Sequence, residues 1–288
     1  MTIAAVTCVR DEADIIEEWL AHHLALGIAR IHIFDNGSED DTRARVEAIA
    51  RQEPGVTIQS WNPPSGEPQK AAFAAGLELM RTENVDWCAF MDADEFIGNG
   101  RRDAAGATER FSDFLMRHEN HCAIGLNWAI FGSSGHETRP LGLIQENFLR
   151  RAENSFVVNR HIKSIIRPHF TRGVHHVHGF LLDAPYVNAA GEEIRWRTEE
   201  YGGAVPPFAY TENAPCLDEW RINHYFCRWR GRWEEKMRLS RLRDVFWRSE
   251  QDWIHHDRNE VFDDSARRWT GTDRMIMQAW RAESLSVI

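Results

Sequence analysis

The stretch Trp87-Cys-Ala-Phe-Met-Asp-Ala-Asp-Glu-Phe96 begins with five apolar residues and then reaches three carboxylates, Asp92, Asp94 and Glu95. Five apolar residues are about one buried strand long. In open α/β sheets, ligands bind just beyond the carboxyl ends of such strands. Carboxylates there face a crevice, where Asp92 and Asp94 are suited to holding a hard divalent cation together with the phosphates of a nucleotide. The stretch therefore predicts a buried strand that leads into a metal and nucleotide site.

Strand patterns and helix patterns alternate through the residues that precede and surround this stretch. The predicted strands are 3–9, 31–34, 56–61 and 87–91, and the helices between them are 11–26, 42–50 and 70–81. Strands that alternate with helices form a mostly parallel central sheet with helices on both faces. The sequence thus predicts an α/β fold.

The regularity fades beyond the carboxylates. A loop is predicted over 98–108, a short helix over 111–117 and a strand over 125–131. The segment 191–215 contains Gly and Pro pairs and is interpreted as a long lid-like loop. Helical spacing returns after residue 229.

Composition narrows the class of protein. The chain has 288 residues, 43% of them hydrophobic, which is enough for one principal domain. It carries 34 Lys and Arg against 44 Asp and Glu, a formal net charge of -10, which argues against nucleic acid as a partner. Its five cysteines are widely spaced and form no C-x-x-C pair, so a reducing compartment fits best. We expect a cytoplasmic protein, with peripheral contact at the inner face of the membrane left open.

Three motifs in order resemble the family 2-type glycosyltransferases of the GT-A fold, nearest to the bacterial and family 92 branch. They are Arg10-Asp-Glu-Ala-Asp-Ile-Ile-Glu-Glu-Trp-Leu-Ala-His-His-Leu-Ala-Leu-Gly27, Phe34-Asp-Asn-Gly-Ser-Glu-Asp40 and Asp92-Ala-Asp-Glu95. Later hallmarks are Asn127-Trp-Ala-Ile-Phe-Gly-Ser-Ser-Gly-His136, Lys163-Ser-Ile-Ile-Arg-Pro168 and Asn223-His-Tyr-Phe226. The resemblance covers roughly residues 1 to 240.

The resemblance implies the Rossmann-like nucleotide-diphospho-sugar transferase fold and inverting transfer of a sugar, such as a hexose. The donor would be a UDP- or GDP-sugar, and the acceptor a hydroxyl of a glycan or of a lipid-linked molecule. On this basis we expect three parts. Residues 1–120 form a donor-binding half, residues 121–228 an acceptor-side half of the same domain that includes the loop 191–215, and residues 229–288 a C-terminal helical region.

The resemblance also implies a divalent cation, Mn²⁺ or Mg²⁺, held by the D-x-D carboxylates Asp92 and Asp94. Such an ion offsets the charge that grows on a leaving diphosphate and so replaces a general acid. Two residues that are two apart on a strand point to opposite faces, so the chain must turn after Met91 if both bind one ion. His224 matches the position from which related enzymes supply a third metal ligand.

Residues at the predicted strand ends are candidates for binding the donor. Asp35 could accept the imide N–H of a uracil, or it could cap an Asx turn. Arg10 could approach phosphate and Glu12 the base or ribose, or either could form an ion pair on a helix face. Lys70 resembles a basic position of the family, although the Asn that usually follows is absent. The predicted donor set is Val9, Arg10, Glu12, Asp35, Asn36, Lys70, Asp92 and Ala93.

Residues of the second half are candidates for contact with the acceptor or the sugar. Trp128 could stack on a sugar face or pack in the core. Lys163 could clamp phosphate or acceptor hydroxyls, or it could be an ordinary surface cation. His176 and His178 share one face of an extended segment, which suits a sugar contact or a buried pair better than a zinc site. The predicted acceptor and sugar set is Trp128, Ser133, His136, Lys163, His176 and His178.

An inverting transfer needs a carboxylate that accepts the proton of the acceptor hydroxyl. Asp218 and Glu219 are the candidates, because they precede His224 closely in sequence; Glu137 and Asp183 are further acids of the second half. The basic and aromatic run over 228–236 could contact an anionic membrane surface, or it could pack as a helix with snorkelling arginines.

Two other functions are compatible with a D-x-D sequence. A non-catalytic nucleotide- or sugar-binding module could keep the same fold without turnover. A phosphohydrolase of the haloacid dehalogenase type would use the first Asp as a nucleophile, but it requires Thr or Val two residues after the second Asp. This chain has Phe96 there, which disfavours the phosphohydrolase.

Overall fold

The computed structural model describes residues 1–64, 66–101, 109–196, 210–243 and 248–286. The strands are β1 Ile3–Val9, β2 Arg30–Asp35, β3 Val56–Ser60, β4 Trp87–Phe90, β5 Glu95–Asn99, β6 Ala123–Ile130, β7 Arg150–Arg151, β8 Ile162–Ile166, β9 Thr171–His176, β10 Gly179–Leu182, β11 Val187–Asn188, β12 Trp220–His224 and β13 Val261–Phe262. The helices are α1 Ile16–Ala25, α2 Thr42–Ala50, α3 Pro68–Thr82, α4 Phe111–Arg117, α5 Ile144–Asn147, α6 Arg230–Arg243, α7 Glu250–His256 and α8 Arg267–Ser286.

The central sheet has the strand order β3-β2-β1-β4-β8-β6-β12-β5, and β11 adds to β6. Strands β3, β2, β1 and β4 are parallel, and so are β6 and β12. Strand β8 is antiparallel to β4 and β6, and β5 is antiparallel to β12. Val9 pairs with Asp35, so β1 and β2 end together at one edge of the sheet. The predicted α/β class with a mostly parallel sheet is confirmed.

Alternate residues of β1 face two separate cores. Ile3 and Ala5 pack with Trp19 of α1, whereas Val6 packs with Phe73 of α3. This period of two is what a central strand with helices on both faces requires. Gly76 brings α3 close to the sheet, because a Cβ at this position would lie 2.6 Å from a methyl group of Val6.

Two differences from the predicted elements lie near the strand ends. Helix α1 begins at Ile16 and not at residue 11, because Asp11 takes a positive φ of 56° and its Oδ1 accepts the Glu39 N–H. Strand β5 replaces the beginning of the predicted loop over 98–108. Its five residues are all buried, and they pair with β12, which the sequence pattern did not reveal.

The C-terminal region contains α6, α7 and α8, as its helical spacing predicts, together with the short strand β13, which pairs with β7. Helix α8 packs on α1, so this region contacts the first half of the chain. Of the predicted lid-like loop 191–215, residues 197–209 lie outside the described residues. None of the helices in the described part of the chain is long and apolar enough to cross a bilayer.

Candidate active site

The chain turns directly after β4, as two carboxylates on one ion require. The Glu95 N–H donates to the Asp92 carbonyl oxygen at 3.2 Å, and the Asp92 N–H donates to Glu95 Oε2 at 2.8 Å. Strand β5 then runs back from Glu95. The turn places Asp92 and Asp94 in the same cleft.

This cleft has a volume of about 430 Å³ and opens at the carboxyl ends of β1, β2 and β4. The second half of the chain closes it with Trp128 of β6, His224 at the end of β12 and His178 between β9 and β10. Ten of the predicted site residues line it together: Val9, Arg10, Glu12, Asn36, Asp92, Ala93, Asp94, Trp128, His178 and His224. Residues separated by more than 200 positions in the sequence therefore meet at one edge of the sheet.

Asp94 and His224 lie next to each other in the cleft. His224 Nε2 lies 3.4 Å from Asp94 Oδ1, both side chains are buried, and the Tyr225 N–H donates to the Asp94 carbonyl oxygen at 2.9 Å. Burial raises the pKa of the Asp94 carboxyl, but the hydrogen bond and charge of His224, with Lys236 and Arg228 behind it, bring that pKa well below its usual range. Asp94 is therefore a carboxylate that stays ionised.

Lys163 faces the other side of the turn. Its buried Nζ lies 3.1 Å from Asp92 Oδ2 and 3.4 Å from Glu95 Oε2, while Gln69 Nε2 donates to Asp92 Oδ1. Burial lowers the pKa of the Lys163 ammonium, but the charges of Asp92 and Glu95 more than reverse this and raise it. The sequence predicts phosphate or acceptor hydroxyls as the partners of Lys163, whereas the structure gives it these two carboxylates.

The donor atoms around Asp94 fit part of a metal site. Two ligands at about 2.1 Å from one ion are separated by roughly 3 Å at a right angle and by more at wider angles, so the 3.4 Å between Asp94 Oδ1 and His224 Nε2 suits a shared cation. Across the described ranges, no group of three or more His, Cys, Asp or Glu side chains is assembled for a metal. Oxygen atoms of a diphosphate and water would have to complete the shell, which is the usual arrangement for Mg²⁺ at phosphate sites.

Glu12 forms ion pairs, as its predicted structural alternative states, but it lies before α1 and its helical partner is Lys236 of α6. Its carboxylate lies 2.7 Å from both Arg228 and Lys236, and the neighbouring Asp14 pairs with Arg228 at 2.5 Å and with Arg232 at 3.2 Å. Although burial lowers the pKa of the fully buried Arg228, the charges of Asp14 and Glu12 raise it overall. These cations of the run 228–236 thus pack against the acids that follow β1.

Asp35 also realises its structural alternative. Its Oδ1 accepts the Ser38 N–H at 2.9 Å, which caps the turn that follows β2, and its Oδ2 lies 3.6 Å from Arg43. The neighbouring Asn36 lies in the cleft. Lys70 pairs with Glu67 at 3.7 Å, and the preceding residue, Gln69, is the one that lines the cleft. The contact of Asp35 with a nucleotide base stays a prediction.

The predicted acceptor loop around Ser133 and His136 lies elsewhere. The Ser133 N–H donates to Asp257 Oδ1 at 2.6 Å, and His136 packs on Phe148 with its Nε2 3.3 Å from the Asn147 carbonyl oxygen. Positive φ angles at Ser134 and Gly135 turn this loop towards the C-terminal region. The position of the loop does not support an acceptor role for Ser133 or His136.

Imidazole rings surround Trp128 on several sides. The ring centroids of His224, His161 and His178 lie 4.5, 5.0 and 5.2 Å from that of Trp128, and His176 stacks on His178 at 5.5 Å. His178 Nδ1 is 3.0 Å from the Ile162 carbonyl oxygen, and burial, with Lys163 nearby, holds the pKa of His178 well below 6.5. Trp128 and His178 therefore give the cleft a neutral wall that suits a sugar ring.

Asp218 and Glu219 do not share the neighbourhood of His224. Strand β12 separates them, and at about 3.3 Å per residue His224 lies roughly 16 Å beyond Glu219. Glu219 pairs with Arg101 at 3.2 Å and lies 3.7 Å from Arg117. The prediction that Asp218 and Glu219 lie near His224 is wrong, because residues a few positions apart in an extended strand are separated by many ångströms.

A second cleft, of about 290 Å³, lies between the start of α1 and helix α8. It contains four arginines, but Arg45 and Arg281 each lie 3.4 Å from Glu17, and Arg274 pairs with Glu146. Its charges are therefore largely balanced, and none of its lining residues is the last residue of a strand. The cleft at Asp92 and Asp94 is the better candidate for chemistry.

A sequence model of glycosyltransferase family 92 matches residues 3–257 of the chain. Plant proteins of that family are similar to it. One from Ricinus communis is 29% identical over 195 residues, which cover 64% of this chain and 32% of the relative. One from Oryza sativa subsp. japonica is 29% identical over 188 residues, which cover 62% of this chain and 30% of the relative. The chain spans about a third of the length of these relatives.

Solved structures are more distant. Glucosyl-3-phosphoglycerate synthase from Mycobacterium tuberculosis, in complex with phosphoglyceric acid, is 14% identical with a TM-score of 0.32, over 59% of this chain and 58% of that one. A mycobacterial protein is 15% identical with a TM-score of 0.35, over 59% of this chain and 54% of that one.

Proposed function

Because the chain belongs to glycosyltransferase family 92, we propose that it is an inverting, metal-dependent glycosyltransferase of the GT-A type. It moves a sugar from a UDP- or GDP-sugar to a hydroxyl of a glycan or lipid-linked acceptor. The observation that carries the proposal is the pairing of Asp94 with His224 at 3.4 Å, beside Asp92, in a cleft at the carboxyl ends of the parallel strands. That edge is where α/β sheets bind nucleotides.

The cleft offers separate surfaces for the parts of a donor. Arg10 and Asn36, which follow β1 and β2, line the end where the nucleoside and its phosphates would lie. Asp94 and His224 are the residues that would hold a cation, with Asp92 beside them. A bound Mn²⁺ or Mg²⁺ would offset the charge that builds up on the departing diphosphate. Trp128 and His178 then present their rings to the sugar.

The test is nucleotide binding with and without metal. UDP and GDP, each at about 100 times its Kd, should raise the free energy of unfolding by about 2.7 kcal/mol when Mn²⁺ is present, because a ligand that binds only the folded state stabilises it. In Asp94→Ala this gain should disappear without loss of the fold, since the substitution removes a ligand and little packed volume. Thermal unfolding with EDTA and with Mn²⁺ measures both effects.

Asp113→Ala is the matched control, because Asp113 is an exposed acid on α4. It should keep the full Mn²⁺-dependent gain of the wild-type protein. Undiminished nucleotide affinity in Asp94→Ala would remove the basis of the proposal. Binding by the wild-type protein without any release of free nucleotide from a sugar donor would favour the non-catalytic module instead.

A further inference from the structure

Arg248 is a cation of the active-site cleft that the sequence patterns did not identify. It lines the cleft together with Asp94 and His224. Its guanidinium carbon lies 4.3 Å from the ring centroid of Phe226 and 4.9 Å from that of Trp233. The guanidinium of Arg248 therefore contacts two aromatic rings, which hold it in a defined position through cation–π interaction.

The backbone beside Arg248 is also fixed. Ser249 caps α7, since its Oγ accepts the Asp252 N–H at 3.2 Å and Asp252 Oδ2 accepts the Ser249 N–H at 2.8 Å. Helix α7 is tied to α6 by Trp253, which packs on Trp233 with ring centroids 5.7 Å apart. Arg248 thus projects from a capped helix start and needs little ordering to bind a ligand.

The charges of Asp94 and Glu12 act on Arg248 from a distance, without an ion-pair contact in the described residues. The NH1 group of Arg248 donates to the Phe226 carbonyl oxygen at 3.3 Å, and in the parts of the chain that the structure describes no carboxylate lies within ion-pair distance of it. The nearby Arg228 and Arg232, in contrast, both pair with Asp14. Burial lowers the pKa of Arg248, yet a guanidinium stays protonated in proteins. A partly buried cation of this kind is costly unless an anion joins it.

We propose that Arg248 binds the diphosphate of the sugar donor as a bidentate partner. This inference rests on the proposed function and adds a residue to it. The planar fork of a guanidinium matches two phosphate oxygens, and a diphosphate next to Asp94 and His224 would lie within the same cleft. The competing role is that Arg248 only balances the negative charge of Asp94.

Isothermal titration of the whole chain with Mn²⁺ and three probes separates these roles. The probes are inorganic pyrophosphate, UDP or GDP, and the matching nucleoside monophosphate. Arg248→Gln should weaken binding of pyrophosphate and of the nucleoside diphosphate by roughly 10- to 100-fold, the usual loss for a charge-assisted hydrogen-bond pair. The monophosphate should lose less than about threefold, because it lacks the second phosphate. Arg248→Lys keeps the charge but lacks the planar fork of a guanidinium. Its affinity for pyrophosphate and for the nucleoside diphosphate should therefore lie between that of the wild-type protein and that of Arg248→Gln.

Arg258→Gln is the matched control, because Arg258 also stacks on an aromatic ring, Phe156 at 4.9 Å, but pairs with Glu260 outside the cleft. It should bind every probe as the wild-type protein does. Thermal unfolding shows whether each variant is folded. If Arg248→Gln is unfolded, the affinity of Arg248→Lys for pyrophosphate decides whether Arg248 binds the diphosphate.

Unchanged pyrophosphate and nucleoside diphosphate affinity in folded Arg248→Gln overturns the inference and leaves the proposed function standing. Tighter binding of Mn²⁺ alone, with unchanged pyrophosphate affinity, assigns Arg248 to charge balance and also overturns it. If the wild-type protein binds neither UDP nor GDP, the proposed function fails, and the pyrophosphate titration still decides the role of Arg248. If it does not bind pyrophosphate either, both proposals fail.

Discussion

Lys163 sets the charge balance of the turn that carries the D-x-D carboxylates. Its buried ammonium is the cation closest to both Asp92 and Glu95, at 3.1 and 3.4 Å. Lys163→Met keeps most of the volume but leaves these carboxylates without their partner. We expect the free energy of unfolding to fall by about 3 kcal/mol, the usual cost of leaving one member of a buried ion pair alone. Urea unfolding followed by circular dichroism measures it.

Lys70→Met makes the same chemical change at the surface and serves as the control. Lys70 is partly exposed and lies 3.7 Å from Glu67, so its loss should cost less than about 1 kcal/mol. If the two variants unfold at the same urea concentration, Lys163 does not stabilise the turn in this way.

At the level of residues, the sequence was informative where a motif and a strand end coincide. Asp92, Asp94 and His224 were predicted to meet, and they do, because parallel strands deliver their carboxyl ends to one edge. Glu219 was misplaced, since closeness in sequence says nothing about distance along a strand. Arg248 gave no sequence signal, because its partners are the rings of Phe226 and Trp233 and no motif links them.

At the level of elements, the strands and helices of the first half were predictable, and so were β6 and the C-terminal helices, but the strands from β7 to β12 were not. Strand β12 explains why. Its Arg221 is fully buried and pairs with Asp263 at 2.7 Å, and its Asn223 is buried as well. A buried strand with polar residues shows no apolar pattern, and the partner that makes it stable lies 42 residues away in sequence.

His23 links α1 to β5 in a way that depends on pH. Its Nδ1 lies 2.8 Å from the Trp19 carbonyl oxygen, while its Nε2 is 3.3 Å from the Ile97 backbone nitrogen, whose N–H it accepts. The ring is therefore neutral. Burial, with His22 adjacent, holds the pKa of His23 well below 6.5. In the unfolded chain the ring takes up a proton near pH 6.5, so this neutral histidine stabilises the fold above that pH and ceases to do so as the pH falls.

We expect the free energy of unfolding to fall by up to about 1.4 kcal/mol more per pH unit below pH 6 in the wild-type protein than in His23→Gln. Denaturation at pH 7.5, 6.0 and 5.0 gives both slopes. His169→Gln removes an exposed histidine and should retain the slope of the wild-type protein. Parallel slopes for the wild-type protein and His23→Gln would show that His23 is protonated, or exposed, before the chain unfolds.

At the scale of the whole molecule, the beginning and the end of the chain stabilise one another around the cleft. Glu12 and Asp14 follow β1, and they pair with Arg228, which precedes α6, and with Arg232 and Lys236 of α6. Because Arg228 is fully buried, these pairs hold α6 in one position relative to β1. The carboxyl end of β1 and helix α6 are thereby joined by one network of charges, and neither half of the chain forms the cleft alone.

Trp280 of α8 makes a second connection between the two ends of the chain. Its ring is buried in the core shared with α1 and α2, and its Nε1 donates to Glu53 Oε1 at 2.9 Å. Trp280→Ala should lower the free energy of unfolding by about 3 to 5 kcal/mol, the usual cost of truncating a buried aromatic residue. Met275→Ala on the same helix should cost less than about 0.5 kcal/mol, because Met275 is 71% exposed. If α8 belongs to the core, urea unfolding should show one transition in both variants. A separate early transition in Trp280→Ala, with the main transition unchanged, would show that α8 unfolds independently of the rest of the chain.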